Sequence, residues 1–265
     1  MELTHADIDR VVAAALAEDV GDGDRTSEAL VPADARCRAQ LLLEEPGVVC
    51  GIPIAAAVFR ALDPSVVVEA LVDEGASVTE PPAVLAEIEG PARAVLTGER
   101  VALNLVARLC GIASLTRRYA ELAETTPGLR ALEKYAVRCG GGANHRAGLY
   151  DAILVKENHL RVAGGIPAAV AALNGSIDVE VEAESLEQLQ EALDAGVRRV
   201  LLDNMSPEQV AHAVTITAGR AKLEASGGIS LATVRSYAET GVDFISVGSL
   251  THAARSLHVS LEVLD

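Results

Sequence analysis

The chain has no tryptophan, and aromatic residues make up 2% of its 265 positions. Half of it is apolar, so the core must be built from Leu, Val, Ile and Ala. That favours α/β architecture over an aromatic-rich β-sandwich, and the length suits one large domain or a small one plus a medium one. Positive charge is scarce: 22 Lys and Arg face 38 Asp and Glu, for a net charge of −16. Such a surface repels nucleic acid and anionic membranes. Any anion site must be a local positive pocket in a negative field. There is no CxxC pair and no leading signal segment. Cys37, Cys50, Cys110 and Cys139 are therefore expected to be reduced thiols of a cytoplasmic protein. No apolar run approaches the roughly 18 residues that a membrane span needs.

The order of the elements follows from periodicity. Thr4 to Glu18 has Ile8, Val11, Val12, Ala15 and Leu16 on one helical face, and Thr4 with Asp7 makes a capping box. The acidic loop Gly21-Asp22-Gly23-Asp24 fails as a calcium loop, because Ala33 stands where the bidentate Glu belongs. It reads as a solvated turn. Short strands follow at 37–43, 48–50, 66–72 and 84–88, with one helix at 55–62, and Glu89-Gly90-Pro91 closes a small β-rich domain. A long helix spans 98–123, with Gly111 as a bend. Arg100 falls in its first turn, where the helix dipole opposes a cation. Another helix covers 129–137. From 153 onward, β-branched runs at 153–155, 179–181, 200–202, 222–224 and 244–246 alternate with helices at 186–195, 207–216 and 231–240. This is the rhythm of β/α units in a parallel barrel.

The chemistry concentrates at 139–159. Three glycines lead into His145 and Arg146, and the apolar run 152–155 ends on Lys156. An imidazole, a guanidinium and an ammonium beside unobstructed backbone suit an anionic molecule. In barrels of this kind the site lies at the C-terminal strand ends. Those ends carry Lys156, Glu182, Asp203, Ser226-Gly227-Gly228 and Gly248-Ser249. Glu182 and Asp203 are hard oxygen ligands, suited to Mg²⁺ or ribose hydroxyls. The two glycine loops suit a phosphate, with helix N-termini expected from Ser230 and Thr251, and His252 as a further donor. Together these halves fit an acidic small molecule meeting a sugar phosphate.

At this level of detail the chain resembles quinolinate phosphoribosyltransferases. The resemblance is carried by Thr-Thr-Pro-Gly-Leu-Arg through Gly-Gly-Gly-Ala-Asn-His-Arg (125–146), Leu-Val-Lys-Glu-Asn-His (154–159), Leu-Leu-Asp-Asn (201–204), Leu-Glu-Ala-Ser-Gly-Gly (223–228) and Phe-Ile-Ser-Val-Gly (244–248). It implies an incomplete parallel β/α barrel over 106–253. An N-terminal α+β, sandwich-like domain over 1–105 would be joined by the tail 254–265. It implies that quinolinate and phosphoribosyl pyrophosphate, with Mg²⁺, give nicotinate mononucleotide, pyrophosphate and CO₂. Arg100, His145, Arg146 and Lys156 match positions that hold the quinolinate carboxylates. Arg100 would reach in from the other subunit of a homodimer. Lys156 also lies near the ribosyl pyrophosphate, Glu182 and Asp203 match ribose and Mg²⁺ contacts, and Ser226, Gly227, Gly228, Gly248, Ser249 and His252 match the 5′-phosphate pocket.

One departure stands out. Members of the family carry a strand ending in Asp-Thr-Arg-Lys directly before Thr-Pro-Gly-Leu-Arg, whereas here Glu124 runs straight into Thr125. Roughly ten residues, a strand's worth, are absent. This keeps two further readings open: a non-catalytic phosphate-ligand-binding homologue or dimer partner, and a phosphoribosyltransferase for another pyridine carboxylate.

Overall fold

The computed structural model describes residues 3–118, 128–144, 152–173, 179–247 and 254–264. The chain divides into two compact units. One comprises Met1–Arg118, Thr125–Ala143 and Leu250–Asp265; the other comprises Tyr119–Glu124 and Asn144–Ser249.

The first unit opens with helix α1 (His5–Val20), whose Thr4/Asp7 capping box forms as the sequence suggests. The acidic loop is more than a turn. Asp24 caps a second helix, α2 (Arg25–Leu30), by accepting from the Thr26 and Ser27 N–H groups at 3.1 Å each. The Ser27 hydroxyl and backbone hold its carboxyl below the usual range. Next come β1 (Arg36–Leu43), β2 (Gly47–Val48), α3 (Ile52–Leu62), β3 (Val67–Ala70), β4 (Ser77–Val78) and β5 (Ala83–Pro91). Glu89-Gly90-Pro91 closes nothing: it completes β5, where a Cβ on Gly90 would meet Val66 Cγ2 at 2.7 Å. Helix α4 (Ala92–Arg118) starts at once, six residues before the expected start, and runs across the expected domain boundary at 105/106. Arg100 therefore sits well inside the helix rather than in its first turn, and the dipole objection to a cation there does not apply. Gly111 is not a bend point. It lets the Arg255 backbone approach, since a Cβ would lie 2.9 Å from the Arg255 carbonyl carbon. Helix α5 (Arg130–Cys139) completes the helical part.

The C-terminal tail forms β11 (Val259–Leu264), which pairs antiparallel with β1. The four-stranded sheet has the order β11-β1-β5-β3. This strand was not legible in the sequence, because its partner is more than 200 residues away. The core holds Phe59, Leu41, Leu43, Ile54, Leu85, Ile88, Leu109 and Ile112, all almost fully buried. Burying a side chain of that size stabilises by about 1.5–3 kcal/mol.

The second unit is built on a parallel sheet of β6 (Ile153–Val155), β7 (Val179–Ala183), β8 (Arg199–Asp203), β9 (Lys222–Ser226) and β10 (Phe244–Ile245), in the order β10-β9-β8-β7-β6. Helices α6 (Glu157–Ala163) and α7 (Ile166–Ala172) follow β6; α8 (Leu186–Asp194), α9 (Pro207–Thr217) and α10 (Val234–Ala238) follow the next three strands. This is the α/β, barrel-type arrangement that the alternating pattern implies. Among the described residues β6 pairs with β7 alone.

Candidate functional site

Strand register divides the sheet of the second unit into two chemically different faces. Leu154 pairs with Glu180, Glu180 with Arg199, Glu182 with Leu201, Leu201 with Glu224, Asp203 with Ser226, and Glu224 with Phe244. Paired residues project to the same side. One face therefore carries nearly all the charge. The other carries Val181, Ala183, Val200, Leu202, Leu223 and Ala225, which are almost wholly buried. The apolar face needs a helical cover, and α8 packs against β7 and β8. The polar face is left for chemistry.

That face has two levels. Near the N-terminal strand ends, the Arg199 guanidinium donates to Glu180 at 3.2 Å and to Glu224 at 2.5 Å, and lies 4.9 Å from the centre of the Phe244 ring. Ser246 also donates to Glu224. Glu180 and Glu224 are buried. A buried carboxylate is tolerated where a cation and hydrogen bonds replace water. This level is a polar floor.

Above it, at the C-terminal strand ends, lie Lys156, Glu182, Glu184 and Asp203. One carboxylate oxygen from each of Glu182, Glu184 and Asp203 falls within a cluster whose members are all within 4.8 Å of one another. Glu182 accepts from the Glu157 N–H at the start of α6, at 3.3 Å. Burial and the neighbouring Asp203 push the Glu182 carboxyl above its ordinary value, against the Glu157 N–H and Lys156. Three acidic groups this close gain from a shared cation, and their hard oxygens fit a divalent ion such as Mg²⁺. The Lys156 N–H donates to His159 Nδ1 at 3.0 Å, which fixes the chain where β6 passes into α6.

The glycine loop after β9 is held by a residue that motif reasoning passed over. Asn204 adopts a left-handed backbone, with φ 56°. Its N–H donates to the Ser226 carbonyl at 2.9 Å and its amide donates to Asp203 at 2.6 Å. Gly227 (φ +88°) has no room for a Cβ, which would lie 2.7 Å from the Asn204 nitrogen, whereas Gly228 (φ +62°) faces open space. Asn is one of the few non-glycine residues that visits this conformation readily, so the Asp-Asn pair at 203–204 was the available signal. Glu184 was visible in the acidic run 180–184 but had no assigned role.

The structure thus brings Lys156, Glu182, Asp203 and Ser226-Gly227-Gly228 to one end of one sheet. The helix expected from Ser230 begins at Val234, after a turn in which the Thr233 and Val234 N–H groups donate to the Ser230 carbonyl at 3.0 and 2.8 Å. With five residues and a displaced start, α10 adds no dipole at the loop. Arg100, in the first unit, is exposed and pairs with Asp19 at 3.3 Å. His145, Arg146, Gly248, Ser249, His252 and the junction at 124/125 lie outside the described residues. No described helix is long and apolar enough to cross a membrane.

Known proteins resemble this chain along nearly its whole length. The family model for the quinolinate phosphoribosyl transferase C-terminal domain matches residues 107–262, and that for the N-terminal domain matches residues 24–110. A probable nicotinate-nucleotide pyrophosphorylase (carboxylating) of Bacillus subtilis is 40% identical over 276 residues, covering 98% of this chain and 95% of its own. That alignment has more positions than this chain has residues, so the chain is internally shorter than its relative. The crystal structure of NadC from Streptococcus pyogenes superposes with a TM-score of 0.92 at 40% identity, covering both chains completely. The nicotinate-nucleotide pyrophosphorylase of Francisella tularensis gives 0.93 at 38% identity, over 99% of this chain and 98% of its own. With both domains matched and relatives this similar along their full length, the chain belongs to the quinolinate phosphoribosyltransferase family.

Proposed function

We propose that this chain transfers the phosphoribosyl group of phosphoribosyl pyrophosphate to quinolinate. The products are nicotinate mononucleotide, pyrophosphate and CO₂, a step of NAD biosynthesis. The observation that carries the reading is the Glu182, Glu184, Asp203 cluster at the C-terminal ends of parallel strands, beside the 226–228 glycine loop, in a chain of this family.

The pyridine nitrogen of quinolinate is a weak nucleophile. Catalysis must hold it in line with C1 of the ribose and stabilise charge as pyrophosphate departs. His145, Arg146 and Lys156 supply positive groups for the two carboxylates of quinolinate, and Lys156 also faces the departing pyrophosphate. Ser226, Gly227, Gly228, Gly248, Ser249 and His252 receive the 5′-phosphate, with backbone N–H groups that glycine leaves accessible. Glu182 and Asp203 accept hydrogen bonds from the ribose hydroxyls or hold Mg²⁺, with Glu184 in reach. Bound there, Mg²⁺ neutralises pyrophosphate charge. Loss of CO₂ from the carbon beside the ring nitrogen follows once that ring is cationic.

The working form is a homodimer in a cytoplasmic setting, with Arg100 donated across the interface. In support, Arg100 lies on the surface and its ion pair with Asp19 is of the exposed kind, worth about 0–1 kcal/mol, so a substrate carboxylate can replace it.

The test is direct. Purified protein with quinolinate, phosphoribosyl pyrophosphate and Mg²⁺ should form nicotinate mononucleotide and CO₂ in equal amounts. Arg146→Ala should lower kcat/KM by about 100-fold or more, because it removes a charge-assisted carboxylate contact. No product above background would overturn the transferase reading. Bound phosphoribosyl pyrophosphate without turnover would then support the non-catalytic one, which draws on the shortened chain before Thr125. Turnover of nicotinate in preference to quinolinate would point to a sister substrate.

A further inference from the structure

Three of the four cysteines meet in the first unit, far along the chain from one another. Cys110 is locked to the backbone of Cys50. Its Sγ accepts from the Cys50 N–H at 3.2 Å and donates to the Cys50 carbonyl at 3.3 Å. Burial pushes the Cys110 thiol up to about 12, which leaves it inert. Cys50 is fully buried, and Cys139 is half-buried at the C-terminal end of α5. The two sulfurs lie within 4.8 Å of each other and of a Glu74 oxygen.

Glu74 has another task. Its Oε1 accepts from Gly51 N at 3.1 Å and Ile52 N at 2.9 Å; its Oε2 accepts from Gly51 N at 2.8 Å and the Tyr135 hydroxyl at 2.8 Å. The Cys139 S–H also donates to Oε2, at 3.9 Å. A carboxylate has about four lone-pair sites, and these are occupied. Glu74 caps the start of α3 and is poorly placed to ligate a soft metal with the two thiols. What remains is a pair of thiols whose sulfurs lie within 4.8 Å of each other. The neighbouring Cys50 thiol holds the Cys139 thiol below its ordinary value, against burial and the Glu74 carboxylate, whereas burial pushes the Cys50 thiol up. A half-buried thiol with a second, buried thiol within 4.8 Å behind it is the arrangement of peroxide-reactive dithiols.

We propose that Cys139 and Cys50 are a redox-active pair that closes to a reversible disulfide when a hydroperoxide oxidises Cys139. The Cys139 sulfur attacks the distal peroxide oxygen. The O–O bond breaks, the leaving alkoxide or hydroxide takes the proton that Cys139 gives up, and Cys139 becomes a sulfenic acid. Cys50 sulfur then attacks the Cys139 sulfur. The S–O bond breaks, and the departing hydroxide leaves as water with the Cys50 proton. Two thiols are oxidised by two electrons and one peroxide is reduced. A dithiol reductant reverses the bond by exchange. The sulfurs, now within 4.8 Å, must close to about 2.05 Å.

The test is hydrogen peroxide at one equivalent on the full-length protein, followed by alkylation in denaturant and non-reducing peptide mapping. The expected result is a peptide linked through Cys50 and Cys139, with titratable thiols falling by two and recovering in dithiothreitol. Cys37, whose thiol burial pushes up, should react at least about 10-fold more slowly. In Cys50→Ser, dimedone should trap a sulfenic acid at Cys139. The proposal falls if wild-type Cys139 passes to sulfinic acid while Cys50 stays a free thiol. It also falls if Cys37 oxidises first, or if purified protein carries stoichiometric zinc that shields both thiols. The wild-type map decides by itself, so a variant that fails to fold does not obscure the outcome.

Discussion

Asn204 occupies the space that a side chain on Gly227 would need. A Cβ there would lie 2.7 Å from the Asn204 backbone nitrogen, while Asn204 itself holds Ser226 and Asp203 by hydrogen bonds. The glycine loop and the carboxylate cluster are thereby one rigid piece.

Gly227→Ala should therefore be costly twice over, through a strained φ of +88° and through collision with backbone. Strain of this kind costs about 1–3 kcal/mol. We expect a lower melting temperature and a KM for phosphoribosyl pyrophosphate raised about 10-fold or more, the latter if a phosphate sits against the loop. Gly228→Ala meets nothing within 4 Å. Its left-handed backbone should cost only about 1–2 kcal/mol, with a correspondingly smaller effect on KM. Equal effects from the two variants would show that the loop is not braced by Asn204.

Glu182 links stability to pH. Its folded pKa lies above the ordinary value of 4.5, from burial first and Asp203 next. Between those two values the folded chain binds more protons than the unfolded one, so this group costs stability as pH rises through that window. Below pH 4.5 the cost is absent; above the raised pKa it is complete. Glu182→Gln should leave acid stability unchanged and raise the melting temperature at neutral pH. It should also abolish any Mg²⁺-dependent rise in melting temperature that the wild type shows. Thermal melts at both pH values, with and without Mg²⁺, check both parts. Destabilisation by the Gln variant at neutral pH would mean that the carboxylate is stabilising.

Arg199 joins Glu180 and Glu224, which are buried. Arg199→Met removes the cation and leaves two carboxylates facing each other across the floor of the site. Losing one partner of a buried pair costs about 3–5 kcal/mol, and the low end applies here because Arg199 is partly exposed. Denaturant unfolding should show this loss. Adding Glu224→Gln should recover part of it. No recovery would mean that the loss comes from packing on Phe244 rather than from charge.

Gly111 separates local preference from tertiary fact. In an isolated helix, Gly→Ala stabilises by about 1 kcal/mol. In α4 the Cβ would meet the Arg255 backbone. We expect Gly111→Ala to destabilise by about 1–3 kcal/mol, the cost of overpacking. A rise in melting temperature would show that the segment at 255 yields easily.

Much of the second unit was legible in advance, because its strands alternate with helices and the apolar members of each strand are buried together. The expected strand at 179–181 runs to Ala183 and that at 200–202 runs over Arg199–Asp203, so Glu182 and Asp203 lie in the strands rather than just beyond them. Short helices were less legible. The α6–α7 pair has Gly164-Gly165 between its members, and α2 depends on one capping Asp.

The sequence by itself determined which groups of like periodicity exist and what chemistry they carry: parallel β/α units, a chain with few cations, and acidic and glycine-rich strand ends. Only the tertiary structure decided their partners. Strand register put Arg199 between two glutamates, Asn204 under Gly227 and β11 against β1, and the packing of the first unit put Cys50 beside Cys139. Such pairings join residues from about twenty to more than two hundred positions apart. Local periodicity does not encode them, because they depend on which faces the closing of the core brings together.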